Sequence, residues 1–414
     1  MLLDWVTPLP PEPTDIAEYT RRVERALAGR VDLNLIHHSR ATDLSAYALA
    51  RSPFYNIGND ARFHGNILEA AWQSPGILIA HDYRVQHLLV SHLQQKAPNW
   101  QDAYKRLMRR HYGEDGAEAA HAFCSGRLSL SEMAIDFPGL EIMAEHSLCL
   151  VTHNPSLAEG LAERTGLYCA SLPLPFPVPA SLPPRPPVAR VAPRRLDLLI
   201  FGYLSDNRGL DIVLDMVARR SDLCLHIAGR MGPEALVKKV DALASSGSVL
   251  QHGYLDEERL DRLIRDCDLV VNLRNPTMGE VSGSQLRIFA NGGLSVVCDS
   301  GWYGTLPDSA VVKVDSGAIA SGLEVIVDQL AAAADAFQSM RHEGHRYALA
   351  HHGLDRFAVC FDVFLEEWER AAAHGRQLRL AEHIAGLYRR NGALDALSGD
   401  ILLDKAARIV SDCT

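Results

Sequence analysis

The stretch Asn272-Leu-Arg-Asn-Pro-Thr-Met-Gly-Glu280-Val-Ser-Gly-Ser-Gln-Leu-Arg-Ile-Phe-Ala-Asn-Gly-Gly293 decides the fold. Leu269-Val-Val-Asn-Leu, which leads into it, has the length and apolarity of a buried strand, and Leu286, Phe289 and Ala290 recur at helical spacing near its end. A chain that turns from strand to helix through Glu280 and Ser282-Gly-Ser284 leaves the N–H groups of Ser282, Gly283 and Ser284 without intrahelical acceptors, at the positive end of the helix dipole. Such a turn attracts a phosphate or diphosphate.

Working outward, apolar runs at 197–202, 223–229, 248–253, 269–273 and 294–298 alternate with helical periodicity through Ile212 and Val217, Leu236 and Leu243, and Leu260, Leu263 and Ile264. This βαβα order predicts parallel strands, right-handed crossovers and helices on both faces, a Rossmann-like α/β domain. The first half follows the same grammar with longer interruptions. Strands are expected at 2–6, 33–37, 54–57, 76–80, 148–152 and 167–171, and helices near 15–29, 64–73, 84–95, 100–111 and 155–165, with 112–147 mostly helical. Between the halves, Pro173-Leu-Pro-Phe-Pro-Val-Pro-Ala-Ser-Leu-Pro-Pro-Arg-Pro-Pro187 forbids helix and favours an extended connector. Beyond about residue 340 the pattern is helical, with Phe357, Phe361, Phe364 and Trp368 as an aromatic stripe whose default use is core packing. The expected layout is therefore a first domain over 1–175, a linker over 176–195, a second domain over 196–340, and helices over 341–414.

A chain of 414 residues is too long for one ordinary core, which agrees with two domains. With 47% hydrophobic and 22% charged residues the composition is that of a soluble globular protein, and a net charge of -10 argues against a general nucleic-acid binder. The eight cysteines show no CxxC or other metal-ligand spacing and read as reduced core residues. The N-terminal residues lack the pattern of a signal peptide, and no stretch approaches the roughly 18 apolar residues of a membrane span, so a cytoplasmic location is expected.

Taken in order along the chain, Thr7 to Tyr19, Ile57-Gly-Asn59, His81-Asp82, Gly202 to Gly209 and Gly279 to Gly293 resemble a GT-B glycosyltransferase of the retaining family 4 type, over nearly the whole length. The resemblance implies two Rossmann-like domains with parallel sheets facing an interdomain cleft, plus C-terminal helices. It also implies a nucleotide-sugar donor, UDP- or GDP-linked, held mostly by the second domain, and a glycan or other hydroxyl acceptor entering from the first. No metal and no cofactor are expected. Closure about the linker would keep water from the donor.

By that resemblance, Glu280 and His81 are the candidate catalytic residues, orienting the transferred sugar. Gly202, Tyr203, Arg208, Arg274, Ser282, Gly283 and Ser284 are the candidate donor-binding residues, with Arg230 a weaker one, and Asn59, His64 and Asp82 lie on the acceptor side. Three departures from the family pattern stand out. Tyr203 occupies the place of an arginine and Arg208 that of a lysine, so Arg274 is the candidate second cation. Ile288 stands where a second glutamate usually holds the ribose, a loss of about 1.5 to 3 kcal/mol for a charged hydrogen bond. Asp15 replaces a glycine near the donor phosphates and is expected to cap the helix through Ala17 and Tyr19. These departures also suit two other readings: a silent GT-B protein that binds a nucleotide or glycan as a partner subunit, or a GT-B sugar-nucleotide epimerase. The tail after Ala371 suits packing on the parent protein, dimer formation or peripheral membrane contact.

Overall fold

The structure is a computed structural model that describes residues 1–46, 52–184, 195–232 and 234–390. Residues 185–194 of the expected linker and 391–414 of the expected tail lie outside the described residues. The chain divides into two compact units, the first made of residues 1–172 and 358–414, the second of residues 173–357.

The first unit runs β1 (Leu2–Thr7), α1 (Asp15–Leu27), β2 (Asp32–His37), β3 (Phe54–Ile57), α2 (Ala61–Gln73), β4 (Ile77–Ala80), α3 (Gln86–Lys96), α4 (Trp100–Cys124), α5 (Leu130–Asp136), α6 (Leu140–Met143), β5 (Cys149–Thr152), α7 (Pro155–Thr165) and β6 (Cys169–Ser171). Its six strands pair in the order β2-β1-β3-β4-β5-β6, all parallel. Strands β3, β4 and β5 are buried along their whole length, which is why they read as continuous apolar runs rather than alternating ones.

The second unit runs β7 (Leu196–Leu204), α8 (Leu210–Arg219), β8 (Leu223–Met231), α9 (Glu234–Ala244), β9 (Val249–Gly253), α10 (Glu257–Asp266), β10 (Leu269–Val271), α11 (Gly283–Ala290), β11 (Ser295–Cys298), α12 (Gly301–Gly304), β12 (Val312–Val314), α13 (Ile319–Ala332) and α14 (Gln338–His352). Its parallel strands are ordered β12-β11-β10-β7-β8-β9, the dinucleotide-fold order, which reverses between β7 and β10. The edge strand β12 and the helix α13 were not anticipated from sequence. Elsewhere the expected and observed elements differ by a few residues at their ends, and the stretch expected to be mostly helical after residue 111 is the continuation of α4 followed by α5 and α6.

The last helix among the described residues, α15 (Leu354–Arg390), begins in the second unit and returns the chain to the first. Its Phe361, Phe364 and Trp368 close over Phe54, with ring centroids at 6.1, 6.2 and 6.2 Å, and Phe54 in turn stacks on Trp5 at 5.1 Å. All five rings are buried; each such side chain contributes roughly 1.5–3 kcal/mol through removal from water. The aromatic stripe is thus core of the first unit.

One local expectation is corrected. Asp15 does not cap α1: Thr14 does, its hydroxyl accepting from the N–H of Ile16 at 3.3 Å, and Asp15 occupies the first helical turn. Thr14 has the extended backbone that a cap requires, whereas Asp15 is already helical.

Candidate active site

In the second unit the strand order reverses between β7 and β10, and ligands of such sheets bind beyond the carboxyl ends of the strands at that reversal. Two loops leave the sheet there. The one after β7 makes a short turn of 3-10 helix at Asp206–Arg208, and the one after β10 leads to α11. They are tied together: the Asn275 N–H donates to the Asn207 carbonyl at 2.9 Å, and the Asn207 amide donates to the Pro276 carbonyl at 3.1 Å. Gly202 leaves room for the Arg208 guanidinium, whose Nη2 would lie 3.3 Å from a Cβ at that position.

Arg208 and Arg274 meet at one side chain. The Asn272 Oδ1 accepts from Arg274 Nη1 at 3.3 Å and from Arg208 Nη1 at 3.5 Å. The orientation of that amide is set from below, because Asn272 Nδ2 donates to Gln285 Oε1 at 2.9 Å and Gln285 Nε2 donates to Ser295 Oγ at 2.7 Å. Asn272, Gln285 and Ser295 are buried, so this chain of amides is a fixed support for two like charges. Arg274 is itself buried and donates to the Leu273 carbonyl at 2.8 Å, with its Nε 3.4 Å from Glu280 Oε1. Glu280 folds back on its own loop, Oε2 accepting from the Met278 N–H at 2.7 Å and from the Thr277 hydroxyl at 3.0 Å.

Ser282 is the N-cap of α11, its hydroxyl accepting from the Gln285 N–H at 3.1 Å. The first-turn N–H groups of Gly283 and Ser284 have no intrahelical acceptor, by the geometry of any helix start. Tyr303, buried on α12, lies beside Ser282, Arg274 and Glu280, and burial pushes its hydroxyl up to about 12. The second unit therefore brings together Gly202, Arg208, Arg274, Glu280 and the Ser282–Ser284 turn. Tyr203, next to Gly202, has a solvent-exposed side chain and is paired in register with Arg230 on β8, which is exposed as well. Ile288 is buried against Ile264 and Gly293, so the position where the resemblance implies a second glutamate faces the core here.

In the first unit the candidates gather at the carboxyl ends of β3 and β4. Asn56 Nδ2 donates to the Val6 carbonyl at 3.3 Å, which turns its Oδ1 toward His81 Nε2 at 3.1 Å. His81 Nε2 must then carry the proton, leaving Nδ1 as its lone-pair nitrogen. The ring stands edge-on to Tyr19 at 4.5 Å and beside His153 at 5.1 Å. Burial holds His81 well below the ordinary histidine range, with the neighbouring His153 and His64 adding to the effect. His64 donates from Nδ1 to the Asn56 carbonyl at 3.0 Å, and its Nε2 would lie 3.0 Å from a Cβ at Gly58. His64 and His153 are both pushed down to about 4 by burial. Asp82 and Asn59 hold the frame: Asp82 Oδ2 accepts from the Asn59 N–H at 2.9 Å, and Asn59 Oδ1 accepts from the Leu88 N–H at 3.0 Å.

Sequence reasoning missed Asn272, Gln285, Tyr303, Asn56 and His153. It also missed the trio Glu12, His37 and His38, in which Glu12 Oε1 lies 2.6 Å from His38 Nε2 and 3.2 Å from His37 Nε2. Each of the three offers a ligand atom within 4.8 Å of the others, and the 2.6 Å contact is a direct hydrogen bond between His38 and Glu12.

No family model matches the chain, and no curated protein matches it in sequence. Solved structures match its fold. Anabaena HepE, in complex with UDP and glucose, superposes with a TM-score of 0.58 at 10% identity, covering 89% of this chain and 100% of that one. Sucrose-phosphate synthase from Thermosynechococcus elongatus gives 0.54 at 14% identity over 90% and 100%. The pneumococcal O-GlcNAc transferase GtfA, in complex with UDP and GlcNAc, gives 0.50 at 11% identity over 82% of this chain and 59% of that one. Among the described residues no helix is long and apolar enough to cross a membrane. At these identities the likeness bears on architecture, and with two parallel six-stranded sheets in two α/β units the chain has the GT-B fold.

Proposed function

We propose that this protein is a glycosyltransferase that moves a sugar, of hexose type, from a UDP- or GDP-linked donor to a hydroxyl of a glycan or other acceptor, with retention and without a metal ion. The observation that carries the reading is the meeting of Arg208 and Arg274 at Asn272, beside the N-terminus of α11. A departing nucleoside diphosphate develops negative charge, and groups already aimed at that charge stabilise the transition state more than the ground state. Two guanidiniums and the amides of Gly283 and Ser284 supply positive charge of the kind a metal ion gives in other phosphate sites.

In this mechanism the acceptor hydroxyl forms its bond to the anomeric carbon on the face from which the diphosphate leaves. The glycosyl–phosphate bond breaks, its electron pair stays on the phosphate oxygen, and that oxygen takes the acceptor's proton. Glu280, held by the Thr277–Gly279 turn, is the proposed sugar-orienting residue of the second unit, and His81 that of the first, its Nδ1 accepting a hydrogen bond from a sugar hydroxyl. Assembly of a surface glycan or polysaccharide is the proposed setting, with the location cytoplasmic and contact with a membrane surface peripheral.

A catalytically silent nucleotide binder is the second reading, favoured by Ile288, whose burial leaves the usual ribose contact unmade. Calorimetric titration with UDP, GDP and their sugars tests the donor site, and a product assay with and without acceptor then separates transferase from binder and from epimerase. Absence of binding to every nucleoside diphosphate removes both readings.

A further inference from the structure

A second chemically active cluster lies at the opposite end of the same sheet. Asp197 on β7 and Cys224 on β8 are register partners, and His226 follows Cys224 by two residues, which places it on the same face. The ligand atoms of Asp197, Cys224 and His226 all lie within 4.8 Å of one another. Cys224 is buried, whereas Asp197 and His226 are partly open to solvent. Asp197 stands five residues before Gly202, so the cluster is about 16 Å along the strand from Gly202, at roughly 3.3 Å per residue.

His252 on β9 completes the group. Its Nε2 lies 3.0 Å from His226 Nδ1, and the two rings stack with centroids 5.2 Å apart and planes 11° from parallel. Two imidazole nitrogens at that distance share one proton. With His226 Nδ1 donating to His252, the His226 Nε2 lone pair and Asp197 Oδ1, 3.4 Å apart, converge on one point, the separation of two ligand atoms held about 2 Å from a common ion. A histidine whose far nitrogen donates to an orienting partner is the usual arrangement around a bound transition metal. Thiolate, imidazole and carboxylate together form a donor set suited to zinc, with a fourth position left for water.

We infer that Asp197, Cys224 and His226 form a binding site for a divalent transition ion of the zinc type, with His252 as the positioning residue for the His226 ring. Binding displaces the Cys224 thiol proton to solvent as the metal–sulfur bond forms, and His226 takes the tautomer with its proton on Nδ1. The site joins β7 and β8 near their amino ends and takes no part in glycosyl transfer.

The test uses the full chain, stripped with a chelator and titrated with cobalt(II) alone and then zinc(II) alone. One equivalent of cobalt should bind with a thiolate-to-metal charge-transfer band, and zinc should displace it and raise the melting temperature. Cys224→Ala should abolish that band. Asp197→Asn, at a more open position, should reduce zinc affinity and the melting shift. His252→Phe should keep the charge-transfer band while weakening affinity about 10–100-fold, the loss expected for an orienting partner. Cobalt that binds without a charge-transfer band, binding that Cys224→Ala and Asp197→Asn leave unchanged, or no stoichiometric binding would each overturn the inference.

Discussion

Mild acid should loosen the first unit through its buried histidines. His64 and His153 are held down to about 4 in the folded chain, against an ordinary value of 6.5. Between those values the unfolded chain binds a proton that the folded chain refuses, so stability rises with pH across that window. Their contribution is complete above about 6.5 and is lost as the pH falls toward 4. From pH 7 to pH 5.5 the loss is about 1.2 kcal/mol for each histidine, or about 2.5 kcal/mol for both, a large share of a typical net stability of roughly 5–15 kcal/mol. His81, depressed in the same direction, adds to it. Carboxylates held below their ordinary range, such as Asp60 and Glu145, destabilise with the same sign only in stronger acid. Urea unfolding followed by tryptophan fluorescence at pH 7, 6.5, 6 and 5.5 measures the effect, since Trp5 and Trp368 lie in the first unit's core. His64→Gln should flatten the pH slope by one histidine's share, and His153→Gln gives the matching check. A transition midpoint that stays constant over this range, or a slope untouched in both variants, refutes the reasoning.

Other expectations concern the second unit. Glu280→Gln should keep nucleotide affinity and lower transfer by about 10²–10³-fold, the cost of losing one aimed charge; equal turnover in the variant excludes Glu280 from the mechanism. Arg208→Ala should weaken UDP or GDP binding by roughly 10–150-fold, equivalent to about 1.5–3 kcal/mol for a charged hydrogen bond, as read by calorimetry. Ile288→Glu, which installs the glutamate that the sequence resemblance leads one to expect, should destabilise the chain by several kcal/mol and leave nucleotide affinity no better, because that position is core; chemical denaturation and nucleotide titration check the two halves of that statement. Gly229→Ala should disorder the carboxyl ends of β7 and β8, since a Cβ there would lie 2.1 Å from the Gly202 carbonyl oxygen at a φ of +129°, and nucleotide binding should fall with it.

Most of the architecture is legible in the residues because a strand covered on both faces has to be apolar throughout, as Ile77 to Ala80 is. The edge strand β12 escaped because three residues, Val312-Lys-Val314, carry too little pattern to separate them from a loop. The helix start at Ser282 to Ser284 could be read locally, since caps and helix dipoles act over one turn. The support beneath it could not. Asn272, Gln285 and Ser295 are ordinary polar residues until the fold places one amide against the next, and Ile288 looks like a lost ligand until its side chain is seen in the core. The Asp197–Cys224–His226 group was hidden for a related reason: its spacing is set across two strands rather than along one.

The aromatic residues of α15 have a practical consequence for anyone wishing to dissect this protein. A truncation after residue 172 strips Phe361, Phe364 and Trp368 from Phe54 and Trp5, leaving oily surface bare and inviting precipitation. An amino-terminal fragment with its core intact has to be spliced, carrying residues 358–390 after a short tether, whereas the second unit can be excised as one uninterrupted piece of polypeptide.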